Sequence, residues 1–299
     1  MKADFIVTSD IHARETNPVS RIDNYWEALK KKILWLGNVQ QQHGGIPIID
    51  CGDLFDSWKS TPTVESWLIE NLPQPFYTVI GNHEMPYHNI NRFEKSSLNV
   101  LVKAGKVKIL NWGMEKILKS FCIYGLNYKE SSENYCFDKN DSRKKILVIH
   151  EMVTQEKTEL FESRTPEQLK KQFPDFDLMV SGHNHKSFIE FENKFLSPGS
   201  FTRTSIDQIN HQPKIYFVGI TNSEVTIKAV SVPIEKDVFD IEQIEIRKQK
   251  DERIQNFVQS LSSDYSIDIS FEKNLEVFCE KNKIRNGIRE EIQLAMEDN

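Results

Sequence analysis

The sequence predicts an α/β fold, and three observations carry that expectation. Short apolar runs of strand length alternate with stretches of helical periodicity in the first quarter of the chain. Histidines, aspartates and an asparagine fall where the apolar runs stop. From about residue 187 the texture changes to short strands, which predicts a second sheet packed against the first. Open α/β sheets place their sites at strand ends, so the polar clusters mark where chemistry is expected.

Residues 4–9 read as a buried strand, closed by Asp10-Ile11-His12. Residues 20–42 read as a helix. Ile22, Trp26, Leu29, Ile33 and Leu36 recur at helical spacing, Lys30-Lys31-Lys32 crosses that stripe, and Gly44-Gly45 ends it. Ile46-Pro47-Ile48-Ile49 is a second strand, running into Asp50-Cys51-Gly52-Asp53. Thr61-Pro62 supplies a cap and a first-turn proline for a helix through about Leu72. Residues 75–80 form a third strand, ending in Gly81-Asn82-His83-Glu84. Further strands at 121–125, 146–149 and 178–180 end in His150 and in Gly182-His183-Asn184-His185. Short strands at 188–191, 195–197, 215–221 and 225–232 complete the second sheet, and Pro233 closes the body.

Residues 1–233 therefore read as one domain and 234–299 as a helical tail. In the tail, Ile254, Phe257, Val258 and Leu261 fit one helix face. Phe271, Leu275 and Phe278 fit another, and Ile284, Ile288, Ile292 and Ala295 a third. Such a tail either folds back on its own domain or docks a partner.

Charge and composition bound the function. The chain has 299 residues, 38% of them hydrophobic, enough for a real core. Residues 234–299 hold 10 Lys/Arg and 16 Asp/Glu, so the whole net charge of −6 sits in the tail and the body is formally neutral. That balance gives no strong electrostatic footprint for nucleic acid, although bound cations would add positive charge at the site itself. No apolar run approaches the roughly 20 residues that span a bilayer, and no signal-peptide pattern precedes the first strand, so no membrane partner and a cytoplasmic location are expected. Cys51, Cys122, Cys136 and Cys279 are scattered, as suits buried thiols in a reducing compartment.

At the strand ends the chain supplies Asp10 and His12, Asp53, Asn82 and His83, His150, and His183 and His185. Oxygen and imidazole donors without thiolate suit divalent ions such as Mn²⁺, Fe²⁺ or Zn²⁺. One carboxylate can bridge two such ions about 4 Å apart, the spacing that clamps the attacking and leaving oxygens of phosphoryl transfer. Asp53, following a glycine that permits close approach, is the natural bridge. Any one of these residues alone would read as an ordinary polar group: Asp10 could cap a helix, and Asn82 could make a turn beside Gly81. Their recurrence at the ends of five apparent strands is what singles them out. His43 and His211 read as surface histidines, and His88 either flanks the site or sits in a loop.

Asp10-x-His12, Gly52-Asp53, Gly81-Asn82-His83-Glu84, His150 and Gly182-His183-x-His185, in this order, resemble the calcineurin-like metallophosphoesterases over roughly residues 4–220. The resemblance implies a four-layer fold, two packed mixed β-sheets flanked by helices, around two divalent metal ions, Mn²⁺ before Fe²⁺, Zn²⁺ or Mg²⁺. By that resemblance, Asp10, His12, Asp53 and His185 hold the first metal. Asp53, Asn82, His150 and His183 hold the second. His83 matches the family's catalytic histidine, which stabilises the transition state or protonates the leaving oxygen, while a metal-activated hydroxide attacks phosphorus. Glu84 or another nearby carboxylate is expected to orient His83.

Smaller stretches address the substrate. Gly52-Asp53-Leu54-Phe55-Asp56-Ser57 resembles the Gly-Asp-Ile/Leu-Phe-Asp stretch of the SbcD-type DNA repair nucleases of bacteria and phages. Ser197-Pro198-Gly199-Ser200, Arg203-Thr204-Ser205 and Lys214-Ile215-Tyr216-Phe217-Val218 resemble the segment after the last ligands in the same nucleases, although many simple phosphodiesterases share a Pro-Gly-Ser there. This resemblance implies an exo- or endodeoxyribonuclease in DNA repair or recombination. It also implies docking of an SbcC-like, SMC-type ATPase on the tail and a homodimer through helices near residues 61–104. The chain departs from these nucleases in lacking room for their larger capping domain. Lys30–Lys32, Lys103/Lys106/Lys108 and Arg143–Lys145 could track a phosphate backbone or be solvated faces. Two other readings stand beside the nuclease: a stand-alone phosphodiesterase or phosphatase for nucleotides or phosphoproteins, and a non-catalytic protein-binding scaffold.

Overall fold

The structure, a computed structural model, describes residues 2–111, 115–118, 121–130, 142–158, 162–221, 224–240, 278–280, 282–284 and 288. Twelve strands among the described residues form two six-stranded sheets. The first holds β1 (Phe5–Thr8), β2 (Ile48–Asp50), β3 (Phe76–Thr78), β4 (Lys108–Ile109), β11 (Lys214–Ile220) and β12 (Val225–Ser231), in the order β12-β11-β1-β2-β3-β4. The second holds β5 (Glu115–Leu118), β6 (Phe121–Leu126), β7 (Lys144–His150), β8 (Leu178–Gly182), β9 (Phe188–Glu190) and β10 (Phe195–Ser197), in the order β5-β6-β7-β8-β10-β9. Both sheets are mixed: β1, β2, β3 and β4 run parallel, β11 joins antiparallel, and β6, β7, β8 and β10 run parallel between antiparallel β5 and β9.

Alternation along each strand explains the layering. Side chains of successive strand residues point to opposite faces. On β1, Phe5 and Val7 enter the core shared with Phe121, Ile123, Ile146, Val148, Leu178 and Val180 of the other sheet. Ile6 turns the other way, onto Leu29, Ile33 and Leu36 of helix α1 (Tyr25–Gln42) and onto Val64 and Leu68 of α2 (Pro62–Asn71). Leu98 and Leu101 of α3 (Ser97–Lys103) complete that outer layer. Behind the second sheet, Cys122, Tyr124, Leu147, Ile149 and Met179 bury Leu169 of α4 (Pro166–Gln172) and Phe173 just past it. The order is helices, sheet, sheet, helix, the two packed mixed sheets flanked by helices that the resemblance implies.

Several sequence expectations need correction. The short strands after residue 187 do not build the second sheet by themselves: β9 and β10 extend the sheet of β7 and β8, while β11 and β12 extend the sheet of β1. Texture reports local strand length, whereas sheet membership is set by which edge the chain reaches. The first helix begins at Tyr25, not residue 20. Asn24 caps it by accepting the Glu27 amide at 3.1 Å, which leaves Ile22 outside the helix and 63% exposed. Lys32, read as part of a charged crossing of the stripe, is buried.

The chain divides into two compact units, Met1–Asp240 and Ile241–Asn299. The seven residues after Pro233 still pack on the first unit. Ile22 donates to the Val238 carbonyl at 3.0 Å, and Phe239 is buried with the guanidinium carbons of Arg21 and Arg203 at 5.7 and 5.4 Å from its ring. The helix faces expected at 254–261, 271–278 and 284–295 lie almost wholly outside the described residues, as does Cys136. Cys51, Cys122 and Cys279 are buried and carry no disulfide. Among the described residues no helix is long and apolar enough to cross a membrane.

Candidate metal centre

Every histidine, aspartate and asparagine singled out above follows or ends a parallel strand. Asp10 and His12 follow β1, Asp53 follows β2, Asn82 and His83 follow β3, His150 ends β7, and His183 and His185 follow β8. The two sheets present these ends to one another, so five loops meet.

The loops are held in unusual conformations. Asp10, His12, Asp53 and His183 all have positive φ, between 50° and 73°, a region that costs a non-glycine residue on the order of 1 kcal/mol. The backbone of the first loop is locked to that of the second: Asp10 donates to the Gly52 carbonyl at 3.1 Å, His12 to Asp53 at 3.0 Å and Ala13 to Leu54 at 2.8 Å. Gly52 has φ 97°, and a Cβ there would lie 2.5 Å from His150 Nδ1, so close approach at this glycine is a requirement of the site.

Three side chains converge on one side of the centre. His12 Nε2 and His185 Nε2 are 3.2 Å apart, and Asp10 Oδ1 lies 3.8 and 3.5 Å from them. A point equidistant from those three atoms is about 2.0 Å from each, the length of a metal–imidazole or metal–carboxylate bond. On the other side, His150 Nε2 lies 3.2 Å from Asp53 Oδ2 and 3.1 Å from Asn82 Oδ1, and His183 closes the group. Asp10 Oδ1 and His12 Nδ1 are buried without a hydrogen-bond partner. A buried carboxylate oxygen lacking a donor is costly, and a cation beside it offsets the cost. The donor set and its orphaned oxygen fit divalent metal ions.

Around these groups sit others that fix their orientation. His150 donates from Nδ1 to the Cys51 carbonyl at 2.6 Å, turning Nε2 to Asp53. The Asp10 carboxylate accepts from the Ser9 hydroxyl and from the His183 amide, the latter at 3.2 Å. Gln208 Nε2 lies 3.1 Å from His185 Nδ1 and donates to Ser200 at 2.8 Å. His211, expected at the surface, is half-buried against the Ser200 carbonyl at 3.0 Å. His43 is exposed, as expected, with its ring 4.2 Å from that of Phe217.

Glu84 does not orient His83. It is fully buried and accepts the amides of Asp53, Phe55 and Gly81 at 3.1, 2.9 and 2.9 Å, tying the second and third loops together. His83 instead has Nδ1 2.6 Å from the Asp56 backbone carbonyl, and its Nε2 lies 3.9 Å from Asp53 Oδ2. The Asp56 carboxylate lies 3.7 Å from His12 Nδ1 and 2.8 Å from an Arg14 guanidinium nitrogen. His12, Asp56 and His83 form a third cluster of metal-ligating groups that the sequence reading did not name. The Leu54-Phe55-Asp56 stretch was the available signal. What hid Asp56 is that its backbone carbonyl contributes as much as its carboxylate.

Electrostatics follow from burial and pairing. Burial alone would raise the Asp53 carboxyl, but His150 and its neighbours outweigh that and hold it well below the carboxylate range. Burial would lower His150, yet the Asp53 carboxylate lifts it to about 10. His183 is pushed down to about 4, by burial first and by His150 second. Burial, then Asp53, raises Glu84 well above its usual range. Beside His183 opens a cavity of about 520 Å³, lined by Tyr128, Lys129, Glu151, Met152 and Arg164 among others. The Tyr128 ring sits 5.6 Å from that of His183.

Two sheets whose parallel strands end on a shared cluster of aspartates, histidines and an asparagine define a metal-dependent phosphoesterase. The profile of the calcineurin-like phosphoesterase family matches residues 3–187, and the chain belongs to that family. Hydrolase chemistry and metal binding come with it, since the family typically binds two divalent metals. Among solved structures, the chain is similar to a putative 5′-nucleotidase from Staphylococcus aureus, with 16% identity and a TM-score of 0.45 over 83% of this chain and 58% of that one. It thus spans little more than half the length of that protein. It is also similar to the calcineurin-like phosphoesterase YfkN from Bacillus subtilis, with 12% identity and a TM-score of 0.47 over 85% and 98% of the two chains. An archaeal phosphodiesterase aligns with 11% identity and a TM-score of 0.39 over 76% and 99%. No curated protein sequence matches the chain.

Proposed function

We propose that this protein is a two-metal phosphodiesterase that hydrolyses DNA, of the SbcD type. The observation that carries the phosphodiester reading is the placement of His83. Its Nδ1 is engaged by the Asp56 carbonyl, which leaves Nε2 directed to the cluster beside Asp53. A sugar alkoxide is a poor leaving group and needs a proton as the phosphorus–oxygen bond breaks, and a fixed imidazolium beside the reacting centre supplies it.

Asp10, His12, Asp53 and His185 would hold one ion, and Asp53, Asn82, His150 and His183 the other. When bound, the ions supply Lewis acidity toward the phosphoryl oxygens and lower the proton affinity of a water. Asp53 holds the two halves of the site in register, and Glu84 fixes Asp53 by its amide. His83 delivers its Nε2 proton to the leaving oxygen. Arg14 pairs with the Asp56 carboxylate at 2.8 Å, beside His12.

The choice of DNA rests on the Gly52–Ser57 stretch and on the segment from Ser197 to Val218, both similar to the SbcD-type nucleases. Manganese, a cytoplasmic setting and an SMC-type ATPase docked through the tail, residues 234–299, belong to the same proposal. The test is to supply Mn²⁺ and compare end-labelled single- and double-stranded DNA with bis-(p-nitrophenyl) phosphate. Cleavage of DNA supports the nuclease. Hydrolysis of the small diester with DNA untouched supports a stand-alone phosphodiesterase, and inactivity on every ester with metals bound supports a scaffold.

A further inference from the structure

We propose that Tyr87 is a stacking platform for a nucleobase of the substrate, on the side of the site where His83 meets the leaving oxygen. The inference rests on the nuclease reading and adds a subsite to it.

Among the described residues Tyr87 is the one aromatic of the exposed large hydrophobic side chains, at 71%. One exposed tyrosine is unremarkable in itself. This one is held out by its backbone: Tyr87 has φ 54° and ψ 35°, and His88 follows with φ 54°. Consecutive left-handed residues, neither of them glycine, are sterically costly, and such outliers gather at ligand sites. On either side the loop is fixed. Met85 and Pro86 are buried, and the His88 and Asn89 amides return to the Met85 and Pro86 carbonyls at 3.1 Å each.

The ring does not stand alone. Trp58 lies with its ring centroid 5.7 Å from that of Tyr87, at 43° between planes. The Arg92 guanidinium carbon is 5.4 Å from the Tyr87 centroid. Trp58 is itself anchored, its carbonyl accepting the Ser97 amide at 2.8 Å. The two segments that build the shelf are the ones that carry His83 and the carbonyl that holds it. Trp58 follows Asp56, whose carbonyl holds His83, by two residues, and Tyr87 follows His83 by four.

A rigid aromatic face with a guanidinium beside it matches a nucleotide unit: a base with a π-face, joined to a phosphate with negative charge. Stacking tolerates any base, since each has such a face, and Arg92 can meet the next phosphate along the strand. An isolated phosphate or phosphopeptide would use the cation but has no need of the ring.

The test uses the full chain in a His83→Ala background, which keeps the substrate intact. Its probe is an all-thymidine oligodeoxynucleotide carrying one 2-aminopurine, placed in turn on each side of the central phosphodiester. Quenching of the 2-aminopurine from one position is expected. Tyr87→Ala should remove the quenching and weaken binding about tenfold, while Tyr87→Phe retains both. With His83 intact, Tyr87→Ala should leave the melting temperature and the number of Mn²⁺ ions bound per chain unchanged. Quenching and affinity untouched by Tyr87→Ala would overturn this inference alone. A parent protein that turns over the small diester but binds no oligonucleotide would overturn the nuclease reading and this subsite with it.

Discussion

The imidazole of His83 and the backbone carbonyl of Asp56 stand 2.6 Å apart, and this contact, rather than one to Glu84, sets the direction in which His83 faces. A carbonyl only accepts, so Nδ1 carries the hydrogen and Nε2 is the atom left to serve the substrate. His83→Ala should therefore lower hydrolysis by about 10²- to 10⁴-fold while the metal content of the purified protein is unchanged. The loss should be larger for an alkyl diester than for a p-nitrophenyl diester, because nitrophenolate leaves without a proton. Parallel rate measurements on the two ester classes check this, and equal losses would remove His83 from the role of acid.

The His183 and His185 side chains serve different halves of the centre. His185 groups with Asp10 and His12, and His183 with Asp53 and His150. Loss of either histidine should weaken one ion selectively, whereas Asp53→Asn should weaken both. Gly81→Ala should behave like Asp53→Asn, since its Cβ would lie 2.1 Å from Asp53 Oδ1 and 2.6 Å from the Asp53 amide. Titration of metal-free protein with Mn²⁺, read as bound ions per chain, separates these outcomes.

Where the chain is cut decides whether the first unit survives. Ending it at Asp240 keeps Val238 and Phe239 in place. Ending it at Pro233 removes both, with exposures of 2% and 5%, and takes away the Glu235 carbonyl that accepts from Arg203. The shorter protein should lose about 4 kcal/mol relative to the longer, from two buried apolar side chains. Urea denaturation of the two truncated proteins measures the difference.

Lys32 makes stability depend on pH. Burial first, then the neighbouring Arg21 and Arg203, lowers its ammonium from its usual range to about 7, while Glu235 and Asp23 oppose them; His211 also feels the Lys32 charge. The unfolded chain therefore binds the proton more tightly than the folded one. Stability is lowest below about pH 7, where the buried amine must be charged, and rises with pH toward the unfolded value of 10.5. Lys32→Met should raise the melting temperature most at pH 6 and least at pH 10. An effect of equal size at both pH values would show that the amine is charged throughout.

Family and strand-end pattern are legible in the residues alone. Asp10, His12, Asp53, Asn82, His83, His150, His183 and His185 are legible because each sits at the end of an apolar run, and strand ends are where parallel sheets open their sites. The cap at Thr61 and the stop at Gly44-Gly45 are legible because each rests on local backbone chemistry, a side-chain acceptor for a free amide and glycines at positive φ. Long-range packing sets the partition of strands between sheets, the burial of Lys32, the packing of residues 234–240, and the contacts of Asp56 and Glu84. Those depend on contacts between residues distant in sequence, or on backbone atoms that every residue carries. A carbonyl that orients His83 leaves no mark in the identity of its side chain. Three amides that converge on one buried carboxylate leave none either, until the loops that carry them meet.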